Sequence, residues 1–287
     1  MVTLENALIK ATINPHGAEL QSLYNKDTNL EYLWNGNAKY WPRRSPVLFP
    51  IVGALKDDTF IYKGKKYTLP RHGFARDMDF IKEAIYGDSC SLVLKSSEES
   101  LKNYPFEFLL RMKYQLNGNG ITLTYEVENP AAEPLLFSIG AHPAFNVPLV
   151  KGTTYEDYFL EFNEEENAYR WTLKDNLIYS PVPYLENQTQ LPLKQSLFAD
   201  DAIVFKDLKS TRISICSDKT IHGLHFDFAG FPYMGIWAAK NAPFVCIEPW
   251  EGIADAESHN QDLEQKEGII KLEKEKKWSK SWSLICV

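Results

Sequence analysis

Four short segments of this 287-residue chain set titratable side chains among apolar neighbours punctuated by proline and glycine. The first runs from Trp41 through Pro42-Arg43-Arg44-Ser45-Pro46 to Gly53. The second is Arg71-His72-Gly73-Phe74-Ala75-Arg76, and the third runs from Ile139 through Gly140-Ala141-His142-Pro143 to Asn146. The fourth is Val245-Cys246-Ile247-Glu248-Pro249-Trp250-Glu251-Gly252. A carboxylate flanked by Val245-Cys246-Ile247 and Pro249-Trp250 is costly to bury without a partner, so Glu248 is expected to be paired or functional. Two histidines and a glutamate are a sufficient acid–base set to open a hemiacetal, which needs one proton removed and one delivered. Trp41, Phe74, Phe145, Trp237 and Trp250 could cover the apolar faces of a sugar ring, and arginines could hold its hydroxyls.

Taken singly, each segment has a structural use. Arg43 and Arg44 can be surface charges, His72 can be a hydrogen-bonded turn residue, and His142 sits where the strand Leu135–Ile139 leaves its sheet. The remaining histidines read as structural. His16 lies in a Pro-His-Gly turn, His259 in a polar loop, and His222 and His225 are expected on one strand face without a third ligand. No GxSxG nucleophile turn, phosphate-binding glycine loop or zinc-ligand spacing is present.

The elements that must position these residues are strands. Phe106, Phe108, Leu110, Met112, Tyr114 and Leu116 alternate with polar residues. After Asn117-Gly118-Asn119-Gly120, Ile121, Leu123, Tyr125 and Val127 do the same. Alternation on both sides of an Asn/Gly turn predicts a β-hairpin with one buried face. Shorter hairpins are expected at Phe60–Leu69 around Gly64 and at Leu4–Ile9, and a short strand at Arg212–Ile215. Ser97–Lys102 predicts one short helix, and the Lys/Glu-rich stretch Glu264–Lys277 a solvated hairpin. Many short strands and no linker predict an all-β chain: one large antiparallel β-sandwich domain over residues 1–287.

Composition bounds the partners. A formal net charge of −7 and a pI near 5.5 disfavour nucleic acid and anionic membrane surfaces, which need clustered Lys and Arg. No apolar run is long enough for a transmembrane helix, and no signal-peptide pattern opens the chain. The four scattered cysteines read as free thiols, and a cytoplasmic location is expected.

In order and spacing, Arg-x-x-Pro-Val-Leu-Phe-Pro-Ile-Val-Gly, His-Gly-Phe-Ala-Arg, Gly-Ala-His-Pro-Ala-Phe-Asn and Cys-Ile-Glu-Pro-Trp resemble the aldose 1-epimerase (galactose mutarotase) family, and within it the bacterial LacX-like branch. The resemblance covers essentially the whole chain. It implies a supersandwich of antiparallel sheets with a free aldose in an open cleft, interconverted between α and β anomers without cofactor or metal. It further implies Glu248 as base, His142 as acid and His72 at the sugar's ring oxygen. Arg43, with Arg44 as rival, and Asp201, in preference to Asp200, would contact the sugar, alongside Arg76, Trp237 and Trp250. His142 would need a neighbouring carboxylate to hold its pKa near or above the ordinary value of about 6.5. The chain departs from the better-characterised mutarotases at Gly53-Ala54-Leu55, where they read Asn-Arg-Ile, and at Arg71-His72-Gly73-Phe74, where they read Leu-His-Gly-Gly. Three alternatives remain open: a sugar-binding module without catalysis, a hexose-6-phosphate 1-epimerase with Arg43, Arg44, Arg71 and Arg76 around the phosphate, and a glycosidase using Glu248 and Glu251.

Overall fold

Period-two burial organises the chain in a computed structural model that describes residues 1–287. Strand Leu109–Asn117 pairs with Gly120–Glu128 in unbroken antiparallel register from Leu109↔Glu128 to Asn117↔Gly120. Its burial alternates as the sequence predicts, with Leu110, Met112, Tyr114 and Leu116 inside. The hairpins Val2–Glu5/Ile9–Asn14 and Thr59–Tyr62/Lys65–Thr68 form as expected, as does strand Arg212–Ser217. The short helix Glu98–Asn103 is capped by Ser97, whose hydroxyl accepts from the Ser100 amide.

These elements belong to a β-sandwich dominated by one 15-stranded sheet, with a four-stranded sheet at the N-terminus. An apolar core of 70 buried residues includes Leu4 and Leu284, so both ends of the chain share one interior. No helix is long and apolar enough to cross a membrane. All four cysteines are free, and Cys90, Cys246 and Cys286 are buried.

Two expectations fail. Glu264–Lys277 is not a hairpin of its own. Ile270–Leu272 pairs with Leu135–Phe137, Lys277 opens the final strand, and Lys266 is buried with its ammonium 2.7 Å from Asp255 Oδ1. His222 and His225 do not share a face, because an odd separation on strand Thr220–Asp227 sends them to opposite sides. His225 Nδ1 instead meets the Ser214 hydroxyl at 2.8 Å.

The longest strands, Tyr158–Lys174 and Leu177–Pro192, lie outside the sequence expectations. They form a bulged ribbon joined by the two-residue turn Asp175-Asn176, both at left-handed φ. Its tip docks on the Ile253–Glu257 loop through the Ile178 amide to the Asp255 carbonyl and the Glu257 amide to the Ile178 carbonyl, each 2.9 Å.

Candidate active site

Strand Phe244–Glu251 is buried along all but its last residue, and its even positions Cys246, Glu248 and Trp250 project to one side. Trp250 fits there because two neighbouring strands offer no Cβ. A Cβ on Gly235 would lie 2.4 Å from Trp250 Cζ2, and one on Gly140 would lie 2.6 Å from Cδ1. The indole N–H donates to the Ala141 carbonyl at 3.2 Å, which ties this strand to the turn carrying His142. His142 and Glu248 thus come from adjacent strands, and their side chains meet with Nδ1 and Oε2 3.4 Å apart.

His142 is boxed by rings. Trp41 stacks on it at 4.8 Å between centroids, while Trp237 and His72 stand edge-on at 5.7 and 5.8 Å. Its Nδ1 is buried without a hydrogen-bond partner. His72 sits at φ +68° in a turn clasped from both sides: its amide donates to the Gly53 carbonyl at 2.9 Å, and the Gly53 amide donates to its Nδ1 at 3.1 Å. A neutral imidazole whose Nδ1 accepts carries its proton on Nε2, so His72 offers a ligand a donor.

These residues line one open cavity of about 480 Å³ with Arg43, Arg71, Arg76, Asp201, Asn176 and an apolar wall including Leu173, Ile178 and Val204. Arg43 Nη2 bonds Asp77 Oδ1 at 2.7 Å, and Arg76 Nη2 donates to the Arg71 carbonyl at 2.7 Å. Asp201, at φ +80°, accepts from the Ala202 amide and lines the cavity, whereas Asp200 does not. Arg44 does not. Its guanidinium donates to the Gln21 carbonyl at 2.6 Å and its amide to Glu19, so it braces the N-terminal sheet and drops out as a sugar contact. Glu251 is likewise outside the cavity, ion-paired to Lys280, which removes the second carboxylate of the glycosidase reading.

Burial sets the electrostatics. It pushes Glu248 well above the usual carboxylate range, against the opposing pull of Arg71 and with help from Asp201. Burial, followed by the Arg71 and Arg76 charges, pushes His142 down to about 3, and burial also drives His72 well below its ordinary value. The expectation that a neighbouring carboxylate keeps His142 near or above 6.5 finds no support in the free protein, where desolvation and the Arg71, Arg76 and Arg43 charges all act to lower it. Both shifts favour the uncharged forms of the pair, carboxylic acid at Glu248 and neutral imidazole at His142. His142, Cys246 and Glu248 could also present ligands to a cation, their donor atoms lying within 4.8 Å of one another. Burial raises the Cys246 thiol well above its ordinary range, so such a ligand set would have to shed protons beside three guanidiniums.

The ribbon's contribution, Leu173, Asn176 and Ile178, is what sequence reasoning missed. A signal existed in Asp175-Asn176, a pair suited to left-handed φ, between Trp171-Thr172-Leu173 and Leu177-Ile178-Tyr179.

Residues 1–267 match the model of the aldose 1-epimerase family. The protein LacX (plasmid form) of Lactococcus lactis subsp. lactis is 38% identical over 284 residues, 94% of each chain. A galactose mutarotase related enzyme from Lactobacillus acidophilus superposes with a TM-score of 0.95 at 36% identity, covering 99% of this chain and 96% of that one. A galactose mutarotase-like protein from Lactobacillus casei gives 0.93 at 30%, covering 100% of both chains. A putative aldose 1-epimerase from Escherichia coli, 18% identical with a TM-score of 0.78 over 100% of this chain and 98% of that one, shares the fold.

Proposed function

The chain belongs to the aldose 1-epimerase family, and from that premise we propose that it interconverts the α and β anomers of an aldose by acid–base opening and closing of the ring. The observation that carries the reading is the buried Glu248–His142 contact, 3.4 Å across, at the floor of an aromatic cleft. Glu248 in its carboxylate form takes the C1 hydroxyl proton while protonated His142 delivers one to the ring oxygen. Rotation about C1–C2 presents the other carbonyl face, and the reverse transfers close the ring. The pair needs no net proton from solvent, because its two arrangements, neutral acid with neutral imidazole and carboxylate with imidazolium, differ only in where one proton sits. Each group acting in proton transfer contributes about 10²–10⁴-fold. His72 Nε2–H and Asp201 hold hydroxyls, and Trp41, Trp237 and Trp250 supply apolar surface.

Polarimetry of freshly dissolved α-D-galactose and α-D-glucose tests the reading. Equilibration faster than the spontaneous rate, and lost in Glu248→Gln, is expected; equal rates with and without protein on every aldose tried would leave a sugar-binding module instead. One observation favours a second substrate class within the same chemistry. Arg43, Arg71 and Arg76 bring three guanidiniums to the cleft of a chain whose formal charge is −7. Guanidiniums suit phosphate, and a hexose 6-phosphate would use them. Comparing glucose with glucose 6-phosphate, and galactose with its 6-phosphate, separates the two.

A further inference from the structure

The turn that brings Asp201 to the cleft is held from the long ribbon. Asp201 stands at φ +80°, a region sparsely populated by residues other than glycine, so contacts outside the residue must keep it there. Its Oδ1 accepts from the Ala202 amide at 2.7 Å, while Oδ2 has no partner within the protein and is free to accept from a ligand hydroxyl. Three successive carbonyls of the turn, those of Asp200, Asp201 and Ala202, lie 3.3, 3.2 and 3.4 Å from Arg170 Nη2. No other loop amide or side chain donates to them. Shared among three acceptors, that nitrogen makes no single short bond, and the guanidinium acts as a positive charge at the meeting point of three carbonyl dipoles. Carbonyls turned toward one point repel one another unless a cation sits there. Arg170 precedes Trp171, whose bridge to Val204 sets this part of the ribbon beside the strand that Asp201 leads into. Its side chain makes no hydrogen bond besides these, and its Nε is buried without a partner. A half-buried arginine that gives up a buried donor and pairs with no carboxylate is committed to the turn it holds.

We infer that Arg170 is a positioning residue, which fixes the Asp200–Ala202 turn so that Asp201 Oδ2 meets a sugar hydroxyl in the cleft. The inference rests on the sugar contact of Asp201 given under the proposed function. It gives the ribbon two separate tasks. Leu173, Asn176 and Ile178 line the cavity themselves, whereas Arg170 does not line it and acts through Asp201. A hydroxyl held away from the reacting atoms is held alike in the ground and transition states, so loss of Arg170 should raise KM and leave kcat in place. An arginine that merely stapled the ribbon to its neighbour would behave otherwise. Its loss would lower the unfolding midpoint and the fraction of folded protein without changing the affinity of the molecules that remain folded. The two roles also differ in coupling, because a residue acting through Asp201 has no effect on binding once Asp201 is gone. Lysine would bring a compact charge with three N–H donors to the same carbonyls, while methionine keeps an apolar stem and removes both charge and donors.

The test is a double-mutant cycle of Arg170→Met and Asp201→Gly, with Arg170→Lys as the rescue. Glycine removes the carboxylate without straining a backbone at positive φ. Galactose, glucose and their 6-phosphates are the probes, read as KM and kcat for anomer exchange and as Kd from tryptophan fluorescence. Trp41, Trp237 and Trp250 line the cavity, so fluorescence reports binding whether or not the sugar is turned over. Asp201→Gly should raise KM and Kd about tenfold or more, the loss of a hydrogen bond to a charged acceptor. Arg170→Met should raise both about fivefold with kcat within about twofold of wild type, and Arg170→Lys should recover most of that loss. In the Asp201→Gly background, Arg170→Met should change Kd by less than about twofold. Affinity left unchanged by Arg170→Met, or reduced as much without Asp201 as with it, would overturn the inference. Unchanged binding in Asp201→Gly would overturn it as well, by removing the contact through which Arg170 acts. If Arg170→Met does not fold, Arg170→Gln, which keeps a donor for one carbonyl, is judged by the same criteria. Absence of exchange by wild type with sugar binding intact would count instead against the proposed function, and the Kd cycle still decides the role of Arg170. Wild type that bound none of these sugars would overturn both.

Discussion

Replacing Gly235 by alanine isolates what the glycine is for. Gly235 lies within strand Tyr233–Trp237 opposite Glu248, where a strand glycine ordinarily weakens folding relative to alanine by about 0.5–1 kcal/mol. Backbone preference alone therefore favours the substitution. The added Cβ would meet Trp250 Cζ2 at 2.4 Å and Cη2 at 2.5 Å. Gly140 presses on the opposite edge of the ring, so the indole cannot slide aside. Overpacking of this kind costs about 1–3 kcal/mol and outweighs the strand preference, giving a net loss of about 1–2 kcal/mol. Because Trp250 shares its strand face with Glu248, anomer exchange should fall with stability. The assay is urea unfolding of Gly235→Ala in wild-type and Trp250→Phe backgrounds, with polarimetry on the folded proteins. A phenyl ring does not reach the positions of Cζ2 and Cη2. In the Trp250→Phe background the alanine should therefore be neutral or stabilising, even though that background has itself lost the bond to Ala141. Equal costs in the two backgrounds, or a stabilised and fully active Gly235→Ala, would refute the clash.

Other perturbations follow from the same contacts. Arg44→Ala should leave KM unchanged, whereas Arg43→Ala should raise it about tenfold, the loss of about one charge-assisted hydrogen bond; steady-state kinetics on the preferred aldose decides. Lys266→Met strands Asp255 in the interior and should cost about 3–5 kcal/mol in denaturant unfolding, since breaking a buried pair leaves an uncompensated charge. Glu248 binds its proton more tightly folded than unfolded, so its burial lowers stability as pH rises above the unfolded value of about 4.3. Glu248→Gln should accordingly be more stable than wild type at pH 7, with a margin that shrinks toward pH 4, as read from unfolding midpoints across pH. His142 acts oppositely: its depression to about 3 makes stability fall as pH drops from about 6.5 toward that value.

The sequence was legible where one physical signal dominated. The Leu109–Glu128 hairpin could be read because one face is buried along its full length. Glu248 could be read because a lone carboxylate in an apolar strand demands a reason. The Tyr158–Pro192 ribbon could not, since beyond the alternating stretch Tyr158–Phe162 both faces are largely exposed and its register shifts at several bulges. With it went Asn176 and the cleft's apolar wall. Composition places Lys266 on the surface because only the fold reveals that Asp255, eleven residues earlier, waits inside. Arg43 and Arg44 are indistinguishable by type, and their neighbours in space, Asp77 and Gln21, come from opposite sides of the segment. The depression of His142 is hidden in the sequence, which offers a carboxylate neighbour but does not show the guanidiniums and tryptophans that gather around the ring.

The central claim is that Glu248 and His142 together exchange the anomers. Two-dimensional exchange NMR measures this directly, through cross-peaks between the α and β H1 resonances of an equilibrated aldose or its 6-phosphate. Wild type should produce cross-peaks absent from the sugar alone, and Glu248→Gln and His142→Asn should each weaken exchange by about 10²-fold or more. Exchange undiminished in both variants would contradict the account.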